Sequence, residues 1–165
     1  MKEIYKAYFN SEIGLIEITG SASGIMSLDF KDNVNTGELY SDKDLPGCMK
    51  ECLKQLSDYF KGERKKFNVQ MQIEGTDFQK KVWKKLIEIP FGKTNTYKEI
   101  AANTGNANAG RAVGNANNKN KIAIIIPCHR VIGSNNKLTG YAGGLWRKEW
   151  LISHEKKISS GAEIF

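Results

Sequence analysis

A cysteine and a histidine stand side by side in "IIIPCHRVIG", residues 124 to 133, directly after an apolar run and a proline. A free thiol has a pKa of about 8.5, so only a few per cent is thiolate at neutral pH unless a base or a positive field acts on it. His129 is the candidate base for Cys128. Adjacent side chains often point apart, so proton transfer through a bridging water is as open as a direct hydrogen bond. A histidine base also works better when a third group fixes its tautomer. Glu155, beside His154 in "KEWLISHE", is the acid that stands out, the alternative being that both belong to an exposed helix end. These pieces suit a thiol hydrolase of the Cys-His-acid type as well, so they do not choose a substrate.

Cys48 and Cys52, four apart on an expected helix, read as small apolar fillers. An odd count of three cysteines suggests free thiols in a reducing compartment. With no C-x-x-C pair and only two histidines, His129 and His154, no metal site and no cofactor are expected. No segment approaches the ~20 apolar residues of a membrane span, and "MKEIYKAYFN" lacks the apolar stretch and cleavage site of an export signal. The expectation is a cytoplasmic protein without a membrane partner.

The net charge of +7 is unevenly placed. Residues 1–75 carry 10 Lys+Arg against 12 Asp+Glu, whereas residues 76–165 carry 15 against 6. Such asymmetry suggests that the second half meets a polyanion, although scattered lysines also serve simply as a solvated surface.

The elements that would carry these residues divide at the same point. "KEIYKAYF", "LIEIT" and "IMSLDF", separated by turns at "NSEIG" and "GSASG", read as strands of an antiparallel sheet, with Met26, Leu28 and Phe30 alternating. "LPGCMKECLKQLSDYFKG" reads as a helix covering it, ending near Gly62. "FNVQMQI" alternates like one further short strand. From Thr76 the pattern is helical: Thr76 and Gln79 form a capping box ahead of "DFQKKVWKKLIEI", whose Phe78, Val82, Trp83, Leu86 and Ile87 share a stripe. A second box, Thr96 with Glu99, opens "TYKEIAANTG", and a turn leads into "ANAGRAVGNANNKN", giving a helix-turn-helix pattern. That second helix is nearly all Ala, Gly and Asn around Arg111. Its small side chains permit close approach to a neighbouring helix or to a nucleic-acid groove. "VIGSNNKLTGYAGG" is a turn-rich loop, "LWRKEWLISHEKK" an amphipathic closing helix, and the tail from Ile158 is expected to be loosely held. The fold class is therefore α+β: residues 1–75 form a small antiparallel sheet with a covering helix, and residues 76–165 form a mostly helical domain with the helix-turn-helix and the cysteine loop. A thiol so close after such a motif points to chemistry on DNA, where a reactive base atom must first be turned out of the stack.

In order along the chain, "RAVGNANNKN", "IIIPCHRVIG", "LTGYAGG" and "KEWLISHE" resemble the O6-alkylguanine-DNA alkyltransferases, from about Thr76 to Glu155. The P-C-H-R-[VI] core with R-A-V-G seventeen residues before the cysteine is specific to that family. The resemblance implies that Cys128 accepts the alkyl group irreversibly, once per molecule, with His129 drawing its proton through a water and Glu155 behind it. It implies that Asn120 holds the loop and that Tyr97 donates to guanine N3. Arg111 would fill the gap left by a flipped nucleotide, entering from the minor groove, with Ala112 and Gly114 against the DNA beside it. The carbonyls of Cys128 and Val131 would accept from the guanine amine, the Tyr141 ring would wall the pocket, the Ala142 N–H would face O6, and Gly143 and Gly144 would leave room for the alkyl group. The implied partner of this monomer is duplex DNA containing O6-alkylguanine. Asn117 departs from the apolar residue found at this pocket-wall position in some relatives, and the N-terminal zinc site of some relatives has no counterpart. Two other classes compete: a Cys-His thiol hydrolase, which leaves Tyr97, Arg111 and Asn120 without a role, and a non-enzymatic helix-turn-helix module that binds DNA and leaves a lesion untouched.

Overall fold

The computed structural model describes residues 3–34 and 39–161. The chain forms two compact units, Met1–Glu74 and Gly75–Phe165, in the α+β arrangement expected from the sequence.

In the first unit β1 (Tyr5–Ser11), β2 (Gly14–Ser21) and β3 (Gly24–Lys31) form an antiparallel sheet in that order. Alternation sends Ala7, Ile16, Ile18 and Leu28 to one face, and pairing places Ile18 between Ala7 and Leu28. Near the start of β3 the expected alternation breaks. Ser27 pairs with Thr19 and Ile25 with Gly20, so Met26 is an extra residue in a bulge and Ile25, fully buried, takes the core position. Helix α1 (Gly47–Phe60) lays Met49, Cys52, Leu56 and Tyr59 against the sheet. Gly62 follows its end at φ +81°, a conformation that only glycine adopts without strain. Cys52 is buried, which pushes its thiol up to about 12, while the Cys48 thiol donates to the Ser21 carbonyl at 3.2 Å. Cys52 thus sits in the core and Cys48 half-buried at its margin. "FNVQMQI" does not form the expected strand. It crosses the sheet edge at Met71 alone, bonding through Gln70 and Gln72 to Ile25, and Asn68 is tied to the buried Gln55 amide.

The second unit opens with α2 (Asp77–Ile87), α3 (Tyr97–Asn103) and α4 (Gly110–Asn118). Both capping boxes form as the sequence indicates, Thr76 with Gln79 and Thr96 with Glu99. Val82, Trp83 and Leu86 are the buried stripe of α2, with Phe78 and Ile87 at its exposed margins. The Trp83 indole N–H donates to the Ala116 carbonyl at 2.8 Å, which ties α2 to α4. Between α2 and α3 the chain forms β4 (Asn95–Thr96), parallel to β5 (Val131–Ile132). Helix α5 (Leu145–Ser159) closes the unit. It continues past Ile158, where a loose tail was expected, and residues 162–165 lie outside the described ones. Its inward stripe, Arg147, Lys148, Leu151, His154 and Glu155, has helical spacing but is mostly charged, so α5 is not an ordinary amphipathic helix. Among the described residues no helix is long and apolar enough to cross a membrane.

Candidate active site

The approach to Cys128 is shaped by tight turns. Ile122 to Ile126 fold back on themselves through Ile125 N–H to Ala123 O at 2.8 Å and Ile126 N–H to Ile122 O at 3.0 Å. Ile124 sits at φ +70°, fully buried. A β-branched residue in the left-handed region is strained by ~1–3 kcal/mol and persists only where its surroundings hold it. Asn120 does much of the holding: its amide donates to Ile126 O at 2.8 Å and its carbonyl accepts from Ile122 N–H at 3.0 Å. Cys128 to Arg130 then make one 3-10 turn before β5. Burial pushes the Cys128 thiol up, while a hydrogen bond from Asn120, the charge of Lys148 and a backbone N–H pull the other way. The resting thiol is therefore protonated, and its nucleophile must be made in place.

The neighbouring ring is set up to make it. His129 is fully buried, and its Nε2 lies 2.6 Å from Glu155 Oε2. Burial holds the imidazole below its usual range against the pull of Glu155, so it is neutral, and a carboxylate can only accept. Nε2 must carry the hydrogen. Nδ1 is left with a lone pair, buried and without a partner among the described residues. Burial alone would push the Glu155 carboxyl up, but His129 and Arg130 outweigh it and hold it well below the usual range. Arg130 Nε and Nη2 reach the two Glu155 oxygens at 2.8 and 3.1 Å, and Nη1 donates to Ile89 O at 2.7 Å. Gly92 N–H adds a bond to Oε1 at 3.1 Å. Glycine is favoured there, since its φ is +81° and a Cβ would run into the Ser159 side chain. His154 and Glu155 are thus buried rather than at an exposed helix end, with His154 stacked on Trp150 at 4.7 Å.

Tyr97 joins this centre through a short parallel contact. Asn95 pairs with Val131 and Thr96 with Ile132, so the capping residue of α3 is fixed beside the strand that follows Cys128. Tyr97, the first residue of α3, donates its hydroxyl to Thr139 O at 3.0 Å, and burial pushes its phenol up, so it stays a donor. Gly114 faces the Tyr97 ring, where a Cβ would sit 3.9 Å away. Arg111 and Ala112 are exposed on the first turn of α4. Val131 is buried, and Asn117, also buried, donates to the Cys128 carbonyl at a long 3.4 Å and leaves its own oxygen unpartnered among the described residues. Tyr141 is half-buried with a buried hydroxyl that has no partner among the described residues, Ala142 is exposed, and Gly143 and Gly144 precede α5, the latter at φ +96°.

Two site residues escape the sequence reading. Arg130 stands in the motif, but only the structure shows it clamping Glu155. Lys148 is fully buried, donating to Thr139 O at 2.7 Å and Gly140 O at 3.4 Å, with its ammonium 5.8 Å from the Tyr97 ring centre. Its only sequence signal is the i, i+3, i+7 spacing of Lys148, Leu151 and Glu155, which puts it on the face of Glu155.

Fold and site together define an α+β protein whose helix-turn-helix unit carries a buried cysteine backed by a neutral histidine and an ionised glutamate. The family model described as the 6-O-methylguanine DNA methyltransferase DNA-binding domain matches residues 77–157, and that of the same family's ribonuclease-like domain matches residues 4–73. The chain is 49% identical over 155 residues to a methylated-DNA–protein-cysteine methyltransferase of Methanosarcina acetivorans, covering 92% of this chain and 98% of that one. The crystal structure of the Mycobacterium tuberculosis O6-methylguanine methyltransferase is similar at a TM-score of 0.83, with 42% identity and 94% of each chain covered. A structure of the M. tuberculosis protein in complex with DNA matches at a TM-score of 0.82, with 43% identity and 93% of each chain covered. The chain belongs to the 6-O-methylguanine DNA methyltransferase family.

Proposed function

We propose that this protein repairs O6-alkylguanine in duplex DNA by taking the alkyl group onto Cys128, once per molecule. The observation that carries the reading is the unpartnered, buried Nδ1 of a neutral His129, locked in its tautomer by Glu155 and next in sequence to the thiol. Through a bridging water the thiol proton passes to Nδ1, and Glu155 stabilises the imidazolium. The Cys128 sulfur attacks the alkyl carbon in line, an S–C bond forms, the C–O6 bond breaks, and the electron pair leaves on the guanine. Tyr97 is a hydroxyl donor suited to N3, where that charge spreads. A thioether has no easy hydrolytic exit, which makes the protein a reagent.

Duplex binding is assigned to α3 and α4, with Arg111 entering the minor groove to occupy the place of the flipped nucleotide and Ala112 and Gly114 allowing close approach. The carbonyls of Cys128 and Val131, the Tyr141 ring, the Ala142 N–H and the small residues Gly143 and Gly144 make the base pocket, with Asn117 as a polar wall. The test is incubation with duplex DNA containing O6-methylguanine, then intact mass and peptide mapping. One methyl on Cys128, saturating at one per molecule, is expected; an unmodified protein with the lesion intact would overturn the proposal.

A further inference from the structure

The Thr139 carbonyl is a junction. It accepts from the Tyr97 hydroxyl at 3.0 Å and from the Lys148 ammonium at 2.7 Å, and a carbonyl oxygen has two lone pairs to do so. Tyr97 belongs to the helix-turn-helix and Lys148 to the closing helix, so this one oxygen links both to the loop that precedes the pocket residues Tyr141 to Gly144. A lysine with no exposed surface is uncommon unless it is paired. Among the described residues no carboxylate pairs with Lys148; its donors go to Thr139 O and Gly140 O, and its charge lies against the Tyr97 ring. Cys128 is the other group near it: burial lowers the ammonium to about 8, and a thiolate at Cys128 pulls it back up.

As the structure stands, the Tyr97 hydroxyl is engaged. To donate to a base it must leave Thr139, and without a second donor that departure would strip the carbonyl bare and be resisted. We infer that Lys148 is a positioning residue of alkyl transfer: it keeps the Thr139 carbonyl satisfied, so that Tyr97 hands its hydrogen bond to the bound base while the loop at Thr139 and Gly140 stays in place. The inference rests on the proposed function, in which Tyr97 donates to guanine N3.

The experiment is a single-turnover double-mutant cycle on full-length protein with duplex O6-methylguanine. Lys148→Met should slow transfer by about tenfold or more, the order expected for leaving a buried carbonyl unpartnered. In a Tyr97→Phe background, which has no hydroxyl to release, the same substitution should cost little. A parallel comparison uses a duplex with 3-deaza-O6-methylguanine, which lacks the N3 acceptor, and there too Lys148→Met should have little effect. Equal losses in both backgrounds and on both substrates would show a merely structural lysine and overturn the inference. Amide hydrogen exchange adds a readout that needs no Lys148 variant: Tyr97→Phe should leave protection of the segment around Thr139 unchanged, and faster exchange there would equally overturn it. Failure of the wild-type protein to take up methyl would instead sink the proposed function.

Discussion

Glu155→Gln is the substitution that most directly probes the centre, because one carboxylate serves both the base and the fold. It accepts from His129 at 2.6 Å, from Arg130 at 2.8 and 3.1 Å, and from Gly92 at 3.1 Å. Glutamine keeps the shape but carries one acceptor oxygen and one NH2 group. If the oxygen takes the place of Oε1, it keeps Arg130 Nε and Gly92, and the NH2 faces Arg130 Nη2 and Nε2 of His129, which must then be the bare nitrogen, so Nδ1 takes the hydrogen. If the amide turns, the NH2 faces Arg130 Nε and the Gly92 N–H, which are donors only. The first arrangement removes the proton acceptor, and the loss of a general base costs ~10²- to 10⁴-fold in rate.

The same change leaves Arg130 buried without its counter-charge, and breaking a buried pair in this way costs about 3–5 kcal/mol. Against a total stability of ~5–15 kcal/mol that is a large share. Trp83, Trp146 and Trp150 all lie in the second unit, so tryptophan fluorescence during urea unfolding reports on that unit alone. With a urea slope of about 2 kcal/mol per molar, the midpoint should fall by about 2 M. The pH dependence has a defined sign. The folded carboxyl lies well below its unfolded value of about 4.3, so its stabilisation is complete above that pH and is lost as the pH falls through and below it. The variant's second-unit transition should lack that acid limb. A folded Glu155→Gln protein that transfers methyl at close to the wild-type rate would refute the proton relay, and an unchanged urea midpoint would refute the clamp.

Cys128→Ala should bind duplex DNA normally and take up no methyl, measured by gel shift and intact mass. Arg111→Ala, at an exposed position, should leave the urea midpoint unchanged but lower single-turnover transfer on duplex DNA; a normal rate would remove the arginine from base capture. Gly92→Ala combines a φ of +81° with a Cβ that meets the Ser159 side chain, so it should destabilise the second unit by more than about 1 kcal/mol, read from the urea midpoint. Methylation of Cys128 adds a methyl to a buried site; overpacking of about 1–3 kcal/mol should lower the tryptophan-monitored Tm by several degrees, and equal Tm values before and after transfer would contradict this.

Sequence reading succeeded where the signal was local. A capping box uses residues three apart, so Thr76 with Gln79 and Thr96 with Glu99 were legible without any knowledge of the fold. Adjacency singled out the cysteine and histidine, and the motif supplied Glu155 as a candidate, which the structure places 2.6 Å from His129. Features that depend on distant partners were hidden. The β4–β5 pairing involves two residues on each side, too short for any periodicity, yet it fixes Tyr97 beside the cysteine turn. "FNVQMQI" alternates as a strand should, but only Met71 meets a partner, because pairing depends on the neighbouring edge as much as on the pattern.

At α5 the amphipathic pattern left the inward face unassigned, and the structure shows that face to be mostly charged. Arg147, Lys148 and Glu155 are inside because each has a specific acceptor or donor: Gly143 O for Arg147, Thr139 O for Lys148, and His129 with Arg130 for Glu155. A hydrophobic scale scores such residues against water, whereas their burial is decided by whether the fold supplies partners for them. Those partners come from the 128–130 turn and the 139–143 loop, so α5 seats correctly only when the acceptor and pocket segments are already in place. The charged face of this helix therefore couples assembly of the site to assembly of the unit, and helical spacing with no apolar stripe is the sequence trace that this coupling leaves.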